Sequence, residues 1–274
     1  MSAMPGRKLK VGILGVGSIG QTFANAVDRG RFEAELVAIC DQDDARAEGF
    51  AAVLSTPPPI VSIDELIDRT DLVVEAASQA ALPMLVPKAL ARSRDLLILS
   101  VGGLLGHDDW FREASEKGCR IYIPSGAIAG LDGIKSASIG RIDCATLTSR
   151  KPAAALKGSQ YVIDRGLSLE TMTQETVIFD GTAEEAARAF PATSNVAASL
   201  RLSLDPKVPV RVRVVAVPGG SQNVHEIQVK GEFGELSVDV KNVPSRANPR
   251  TSQLAAFSAL ATLANLTRSL RVGN

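Results

Sequence analysis

The sequence is poor in three features that would narrow its function at once: cysteine, aromatic residues and net charge. Its 274 residues include three cysteines and 4% aromatic residues, and its 30 basic residues balance 30 acidic ones. Sparse, widely spaced cysteines make neither a disulfide framework nor a metal site. We therefore expect Cys40, Cys119 and Cys144 to be buried thiols in a reducing compartment. Zero net charge gives no general attraction to nucleic acid.

Long apolar runs and several catalytic motifs are missing as well. No apolar stretch approaches the roughly 20 residues that span a bilayer, and the N-terminus lacks the pattern of a secretory signal. The sequence contains no Gly-x-Ser-x-Gly, His-Glu-x-x-His or Cys-x-x-Cys motif. These absences predict a cytoplasmic protein without a bound metal and without a membrane or nucleic-acid partner.

The first half of the chain alternates short apolar runs with helical patterns, such as residues 45–54 and 82–91. The apolar runs are Val11–Leu14, Leu36–Cys40, Leu72–Ala77, Leu96–Val101 and Ile121–Ile123. Nearly continuous apolar strands are typical of a parallel sheet covered on both faces. This pattern predicts an α/β domain with a doubly wound parallel sheet over residues 1–124.

The second half has a different texture, because polar and apolar residues alternate along its strands. The alternating segments are Val208–Val217, His225–Lys230 and Leu236–Lys241. Period-two alternation indicates one packed face and one face that is either solvated or a dimer surface. Residues 231–234 resemble a hairpin turn, and helices are expected at 183–189 and 196–202. We predict a second α/β domain over 125–247 with an open mixed or antiparallel sheet.

The chain returns to a helical pattern from Thr251 onwards. A helix with an apolar face must pack on another element. We expect this helix to complete the first domain, which would then comprise residues 1–124 and 248–274.

Residues 15–20 read GVGSIG, directly after the first predicted strand. Gly15 permits a tight turn, Gly17 lets the backbone approach a pyrophosphate, and Gly20 allows close packing of helix on strand. Ser18 and Ile19 open the helix, whose free N–H groups favour phosphate. The spacing predicts a dinucleotide-binding turn.

Asp41 strengthens this prediction, because it ends the second strand about 20 residues after Gly20, where an acidic residue would hold the ribose hydroxyls. The alternative is a surface aspartate beside an ordinary turn. A carboxylate here favours NAD over NADP, while nearby Arg46 leaves NADP possible.

The only histidines are His107 and His225. His107 suits the start of a surface helix. His225 shares a strand face with Ile227 and Val229, so it is either a core residue or the lining of a ligand site. Imidazole is the side chain best suited to proton transfer near neutral pH.

Several segments, in order along the chain, resemble the L-aspartate dehydrogenase family. Besides the glycine turn they are residues 125–133 (SGAIAGLDG), 149–152 (SRKP), 190–191 (FP), 195–198 (NVAA), 223–227 (NVHEI), 231–234 (GEFG), 242–245 (NVPS) and 248–252 (NPRTS). The resemblance implies an N-terminal Rossmann domain and an inserted domain that mediates a homodimer. It also implies that His225 is catalytic, and that Asn195 and the backbone near Ala129 contact the nicotinamide end of NAD.

A dicarboxylic substrate requires cationic partners. Lys151 and Arg250 are our candidates, with solvated surface charges as the alternative for each. Arg250 departs from the family, which often has Lys there, and an Arg fork is not equivalent to a Lys point charge.

The predicted reaction is oxidation of L-aspartate to iminoaspartate, followed by hydrolysis to oxaloacetate and ammonia, or the reverse amination. The imine could also feed NAD synthesis. One alternative is a related dehydrogenase acting on another amino acid or a polyol, although residues 100–103 (SVGG) lack the Glu-Lys-Pro of the sugar enzymes. Another is a non-catalytic NAD-binding sensor.

Overall fold

The computed structural model describes residues 7–191, 194–243, 252–270 and 272–273. Its contacts divide the chain into two compact units, which are treated separately below. The first comprises Met1–Pro124 and Ala256–Val272, and the second Ser125–Ala255 with the last two residues. In the described ranges, no helix is long and apolar enough to cross a membrane.

The first unit contains a five-stranded parallel sheet in the order β2-β1-β3-β4-β5. The strands are β1 (Leu9–Leu14), β2 (Ala34–Cys40), β3 (Leu72–Glu75), β4 (Asp95–Ile98) and β5 (Ile121–Tyr122). Each predicted apolar run contributes one strand, because buried parallel strands need apolar side chains on both faces. The doubly wound parallel sheet is therefore confirmed.

Helices link these strands and cover the sheet. They are α1 (Ser18–Asp28), α2 (Asp44–Ala51), α3 (Ile63–Arg69), α4 (Leu82–Ala91) and α5 (Asp108–Lys117). The C-terminal helix of the chain, Gln253–Thr267, belongs to the same core. Its residues Ala259 and Leu263 are fully buried in a cluster with Val11, Ile13 and Phe23. The described part of this helix therefore contributes to the packing of the parallel sheet.

The second unit contains a five-stranded mixed sheet in the order β10-β9-β6-β8-β7. Its strands are β6 (Ile142–Pro152), β7 (Thr176–Thr182), β8 (Val210–Val217), β9 (Asn223–Gly231) and β10 (Gly234–Asn242). β6 and β8 are parallel, and the other neighbours are antiparallel. The predicted hairpin is confirmed, since Gly231 and Gly234 are paired across the β9–β10 turn.

One face of this sheet is covered by helices and the other carries polar side chains. The helices are α6 (Leu131–Ala137), α7 (Ala153–Leu156), α8 (Gln160–Asp164), α9 (Ala183–Ala189) and α10 (Asn195–Leu202), and we number the C-terminal helix α11. Leu147, Val212 and Ile227 are buried beneath them with Ala186 and Leu200. Strand parity thus decides which side chains are enclosed.

The three cysteines differ in exposure. Cys40 and Cys119 are buried, but Cys144 is exposed, so the prediction of burial was wrong for Cys144. A register shift between Ile142 and Cys144 lies in the pairing of β6 with β9, and Cys144 follows it on the uncovered face. Arg250, together with most of the 242–252 segments quoted above, lies outside the described residues.

Candidate active site

The glycine turn after β1 has the geometry that a dinucleotide requires. Gly15 has a φ of +94°, and a Cβ there would lie 2.7 Å from the Ala76 backbone. A Cβ on Gly20 would lie 2.0 Å from the Gly15 carbonyl oxygen, whereas one on Gly17 would meet nothing within 4 Å. Gly15 and Gly20 therefore serve close packing. Gly17 keeps open space at the N-terminus of α1, beside Ser18 and Ile19, where a phosphate fits.

Asp41 follows β2 and holds the glycine turn in place. Its carboxylate accepts hydrogen bonds from the Val16 N–H at 2.7 Å and the Asp43 N–H at 3.0 Å, and from Arg46 at 2.5 Å. Burial alone would raise the pKa of Asp41, but the bonds from Arg46 and these backbone groups outweigh it and lower that pKa. The carboxylate stays ionised, as a ribose-binding acceptor must.

His225 and Ser149 form a buried cross-strand pair in the second unit. They are directly paired between β9 and β6, and each is 3% exposed. Ser149 Oγ lies 2.9 Å from His225 Nδ1, at hydrogen-bonding distance. The prediction that His225 shares the packed face with Ile227 and Val229 is confirmed, because both neighbours are fully buried. One ring nitrogen of His225 is therefore fixed by a neighbouring hydroxyl.

Lys151 lies two residues beyond Ser149 on the same face of β6 and is 6% exposed. Burial lowers its pKa to about 8. Burial, together with the charge of Lys151, lowers the pKa of His225 to about 3. The surface-charge alternative for Lys151 was wrong, because this residue lies on the face of β6 that the helices of the second unit cover. A neutral imidazole beside a buried ammonium results.

A small cavity adjoins Ser149 and Lys151, with room for about one water molecule. Ser149, Lys151 and Ser194 supply its polar lining, and the remainder is apolar. Ser194 is 5% exposed, and its Oγ has no hydrogen-bond partner in the described structure. Sequence reasoning assigned no role to Ser149 or Ser194. The signal for Ser149 was its place two residues before Lys151, whereas nothing marks Ser194.

The two residues expected at the nicotinamide end lie on neighbouring segments. Asn195 is the first residue of α10 and is half-buried, while Ala129 is exposed in the loop before α6. A Cβ on Gly126, in this same loop, would lie 4.0 Å from Val196. Asn242 at the end of β10 donates a hydrogen bond to the Ala127 carbonyl at 2.9 Å. The loop and the start of α10 thus adjoin each other.

His107 needs no ligand to account for its position. It precedes α5 and stacks on Trp110, with ring centroids 3.7 Å apart. Across the described ranges, no group of three or more His, Cys, Asp or Glu residues is arranged to hold a metal ion.

A parallel sheet with this glycine turn and Asp41 defines a Rossmann dinucleotide-binding unit. The second unit adds a buried His–Lys pair on a mixed sheet. These features define the class of two-domain NAD(P)-binding dehydrogenases, a class that includes enzymes for many substrates.

Comparison with known proteins narrows this class. The profile of the family described as "Aspartate dehydrogenase, C-terminal" matches residues 132–266, and that of "Homoserine dehydrogenase, NAD binding domain" matches residues 15–124. An L-aspartate dehydrogenase of Methanosarcina mazei is 45% identical over 97% of this chain and 99% of its own. One of Methanosarcina acetivorans is 46% identical with the same coverage.

A crystal structure of aspartate dehydrogenase from Thermotoga maritima has the same fold, with a TM-score of 0.73 and 24% identity over 97% of this chain and 99% of that one. The chain belongs to the L-aspartate dehydrogenase family.

Proposed function

We propose that this protein catalyses the NAD(P)-dependent oxidative deamination of L-aspartate to iminoaspartate, which hydrolyses to oxaloacetate and ammonia, and the reverse amination. The observation that carries the proposal is the buried cluster of Ser149, Lys151 and His225 in a chain of this family. A buried cation beside a neutral base suits a substrate that carries carboxylates and must lose a proton.

The first unit would hold the dinucleotide. The turn of residues 15–20, including Ser18 and Ile19, would receive its pyrophosphate, and Asp41 its ribose hydroxyls. The family resemblance makes Ala129 and Asn195 our proposed contacts for the nicotinamide end, and their segments adjoin each other. When bound, the nicotinamide supplies the hydride acceptor for the substrate Cα–H.

His225 is our proposed catalytic acid–base residue. Because Ser149 holds Nδ1, Nε2 is the nitrogen available to exchange a proton with substrate. The imidazole is neutral near pH 7, since burial lowers its pKa to about 3. It is therefore in the form that can accept a proton. A substrate carboxylate paired with Lys151 would offset the charge that weakens this base, so that the imidazole takes the proton of the substrate ammonium or activates the water that attacks the imine.

Lys151 and Arg250 are the proposed carboxylate ligands. Lys151 supports the proposal more strongly, because its ammonium is enclosed and desolvation is the only cause behind its lowered pKa. A substrate carboxylate would replace the favourable electrostatic interaction with water that the Lys151 ammonium loses on burial. Arg250 stays a prediction based on the family resemblance alone.

We further propose that NAD is preferred over NADP. A 2′-phosphate would approach the ionised Asp41, whose side chain is 3% exposed. Arg46 bonds that carboxylate and is 43% exposed, so it is placed to turn towards a 2′-phosphate. Arg46→Ala should raise the KM for NADP about tenfold, as expected for loss of a charge-assisted bond. The KM for NAD should stay within about twofold of its original value.

The inserted domain, which we place at residues 125–247, is proposed to mediate a homodimer through its sheet. We place the protein in the cytoplasm, which its three free cysteines fit. Mass measurement in solution tests the dimer, and a monomer at micromolar concentration would contradict it.

The test of the proposed function is nicotinamide reduction, followed by absorbance. Purified protein and NAD would be combined separately with L-aspartate, D-aspartate, L-glutamate, L-homoserine and myo-inositol. Reduction with L-aspartate alone, with matching amounts of ammonia released, is expected. Reduction with another member of the panel would identify a related dehydrogenase. NADH binding without reduction of NAD by any member of the panel would favour the alternative of a non-catalytic NAD-binding sensor.

A further inference from the structure

Glu75, the last residue of β3, is fully buried at 0% exposure. In the part of the chain that the structure describes, it is the only acidic residue so enclosed. A buried carboxyl group costs free energy unless donors surround it. The proposed reaction makes no use of this residue, so its burial needs another explanation.

Three donors converge on the Glu75 carboxylate. Oε1 accepts hydrogen bonds from the Ala77 N–H and the Ser100 hydroxyl, both at 2.8 Å. Oε2 accepts one from the Ser100 N–H at 2.9 Å. Ala77 belongs to the turn after β3, and Ser100 follows β4. A single side chain therefore ties together the segments that leave two neighbouring strands.

These segments lie at the edge of the sheet where a dinucleotide binds in this type of fold. The strand order reverses between β1 and β3, and ligands bind outside the carboxyl ends of the strands at this switch point. The turn after β3 also contacts the glycine turn, because a Cβ on Gly15 would lie 2.7 Å from Ala76 and Ala77 backbone atoms. Any shift of Ala77 would move a wall of the dinucleotide site.

The segment after β4 is packed on the residues that follow this turn and begin α4. A Cβ on Gly103 would lie 3.2 Å from Gln79 Cα and 2.8 Å from Leu82 Cδ1. The segments after β3 and β4 are therefore linked in two ways. They contact each other near Gly103, and both donate hydrogen bonds to Glu75. Together they form one bonded and packed edge, and the turn after β3 joins this edge to the glycine turn.

We propose that Glu75 is a positioning residue for the dinucleotide: its carboxylate, through Ala77 and Ser100, fixes the edge of the sheet against which the cofactor is held. The proposal rests on dinucleotide binding by this unit and not on the identity of the amino-acid substrate.

Glu75→Gln is the sharpest variant, since it keeps the size of the side chain. Its amide nitrogen would face a donor, so at least one of the three hydrogen bonds is lost. We expect the Kd for NADH to rise about tenfold, and that of Ser100→Ala, which loses only the hydroxyl bond, about threefold. Glu116→Gln on the exposed side of α5 is the matched control and should leave the Kd unchanged.

NADH binding is measured by fluorescence titration without L-aspartate, so a wrong substrate assignment would not affect the result. The KM for L-aspartate should change less than about twofold in both variants, because the second unit is untouched. A folded Glu75→Gln protein with a lower Tm and an unchanged NADH Kd would overturn the proposal, since that is the signature of a purely structural carboxyl. If Glu75→Gln does not fold, Ser100→Ala decides, and an unchanged Kd there has the same consequence.

Discussion

The two units offer polar groups to ligands in opposite ways. In the first, the proposed ligand-binding groups are backbone N–H groups at the N-terminus of α1, left accessible by the absence of a side chain at Gly17. In the second, the proposed ligand-binding groups are side chains, and Ser149, Lys151 and His225 are each at most 6% exposed. A backbone site adds little cost to the fold, whereas a buried ammonium and imidazole oppose folding. The burial of Lys151 and His225 is therefore explained by a function and not by a contribution to stability.

The largest expected effect is on turnover, in the second unit. His225→Asn keeps a polar side chain but removes the acid–base group, so kcat with L-aspartate should fall by about 10³-fold. The Kd for NADH should not change. Glu226→Gln, one residue on and on the opposite face of β9, is the control, and its kcat should stay within about twofold. Turnover that survives in His225→Asn would remove the acid–base assignment.

A substitution in the glycine turn should weaken NADH binding without lowering the stability of the fold. Gly17→Ala puts a Cβ into open space, so the fold should tolerate it while the NADH Kd rises about 100-fold through contact with the pyrophosphate. Gly49→Ala in α2 also has open space and should leave binding unchanged. Titration with NADH and thermal unfolding are the measurements. Tight NADH binding by Gly17→Ala would show that the phosphates lie elsewhere.

Lys151→Met should make the protein more stable and less active. The folded-state pKa is about 8, below the ordinary 10.5, so the charged lysine opposes folding. This cost is full below pH 8 and disappears as the pH rises towards 10.5. At pH 7 the free energy of unfolding should increase by about 3 kcal/mol, while the KM for L-aspartate rises.

Urea unfolding of Lys151→Met at pH 7 and pH 10 measures this gain, and the difference should shrink at the higher pH. Lys230→Met, on the exposed face of β9, is the control and should be nearly neutral. An equal or lower stability of Lys151→Met at pH 7 would contradict the account of an enclosed ammonium.

The smallest effect concerns Ser149, which we propose acts through His225. Ser149→Ala removes the hydroxyl that fixes Nδ1, so kcat should fall about tenfold, with the KM for L-aspartate little changed. Ser149→Thr keeps the hydroxyl and should recover most of the loss. Ser237→Ala, exposed on β10, is the control. A fall in Tm without a change in kcat would make Ser149 a structural residue only.

The same contrast explains how much the sequence could predict. Residues 15–20 and Asp41 are local patterns, and the strands around them are apolar on both faces. The physical reason for each motif is therefore contained in neighbouring residues. The parallel sheet, the glycine turn and the helix of residues 82–91 were all predicted correctly for this reason.

The strand β6 was not predicted, because its covered face carries Ser149 and Lys151 where an ordinary core strand would carry apolar residues. These two polar residues interrupt the period-two pattern of the sequence. A register shift also interrupts the pairing of β6 with β9. β7 has a similar irregularity between Val177 and Phe179. The approach of Ser149 to His225 depends on the register of strands 76 residues apart, which no local pattern encodes.

The most direct test of the central claim uses L-aspartate deuterated at C2, with NAD and the intact protein. The account predicts that the deuterium appears in the reduced nicotinamide, with ammonia formed in equal amount, because the hydride leaves Cα. Reduced nicotinamide without deuterium, or deuterated L-aspartate recovered unchanged while NADH binds normally, would contradict it.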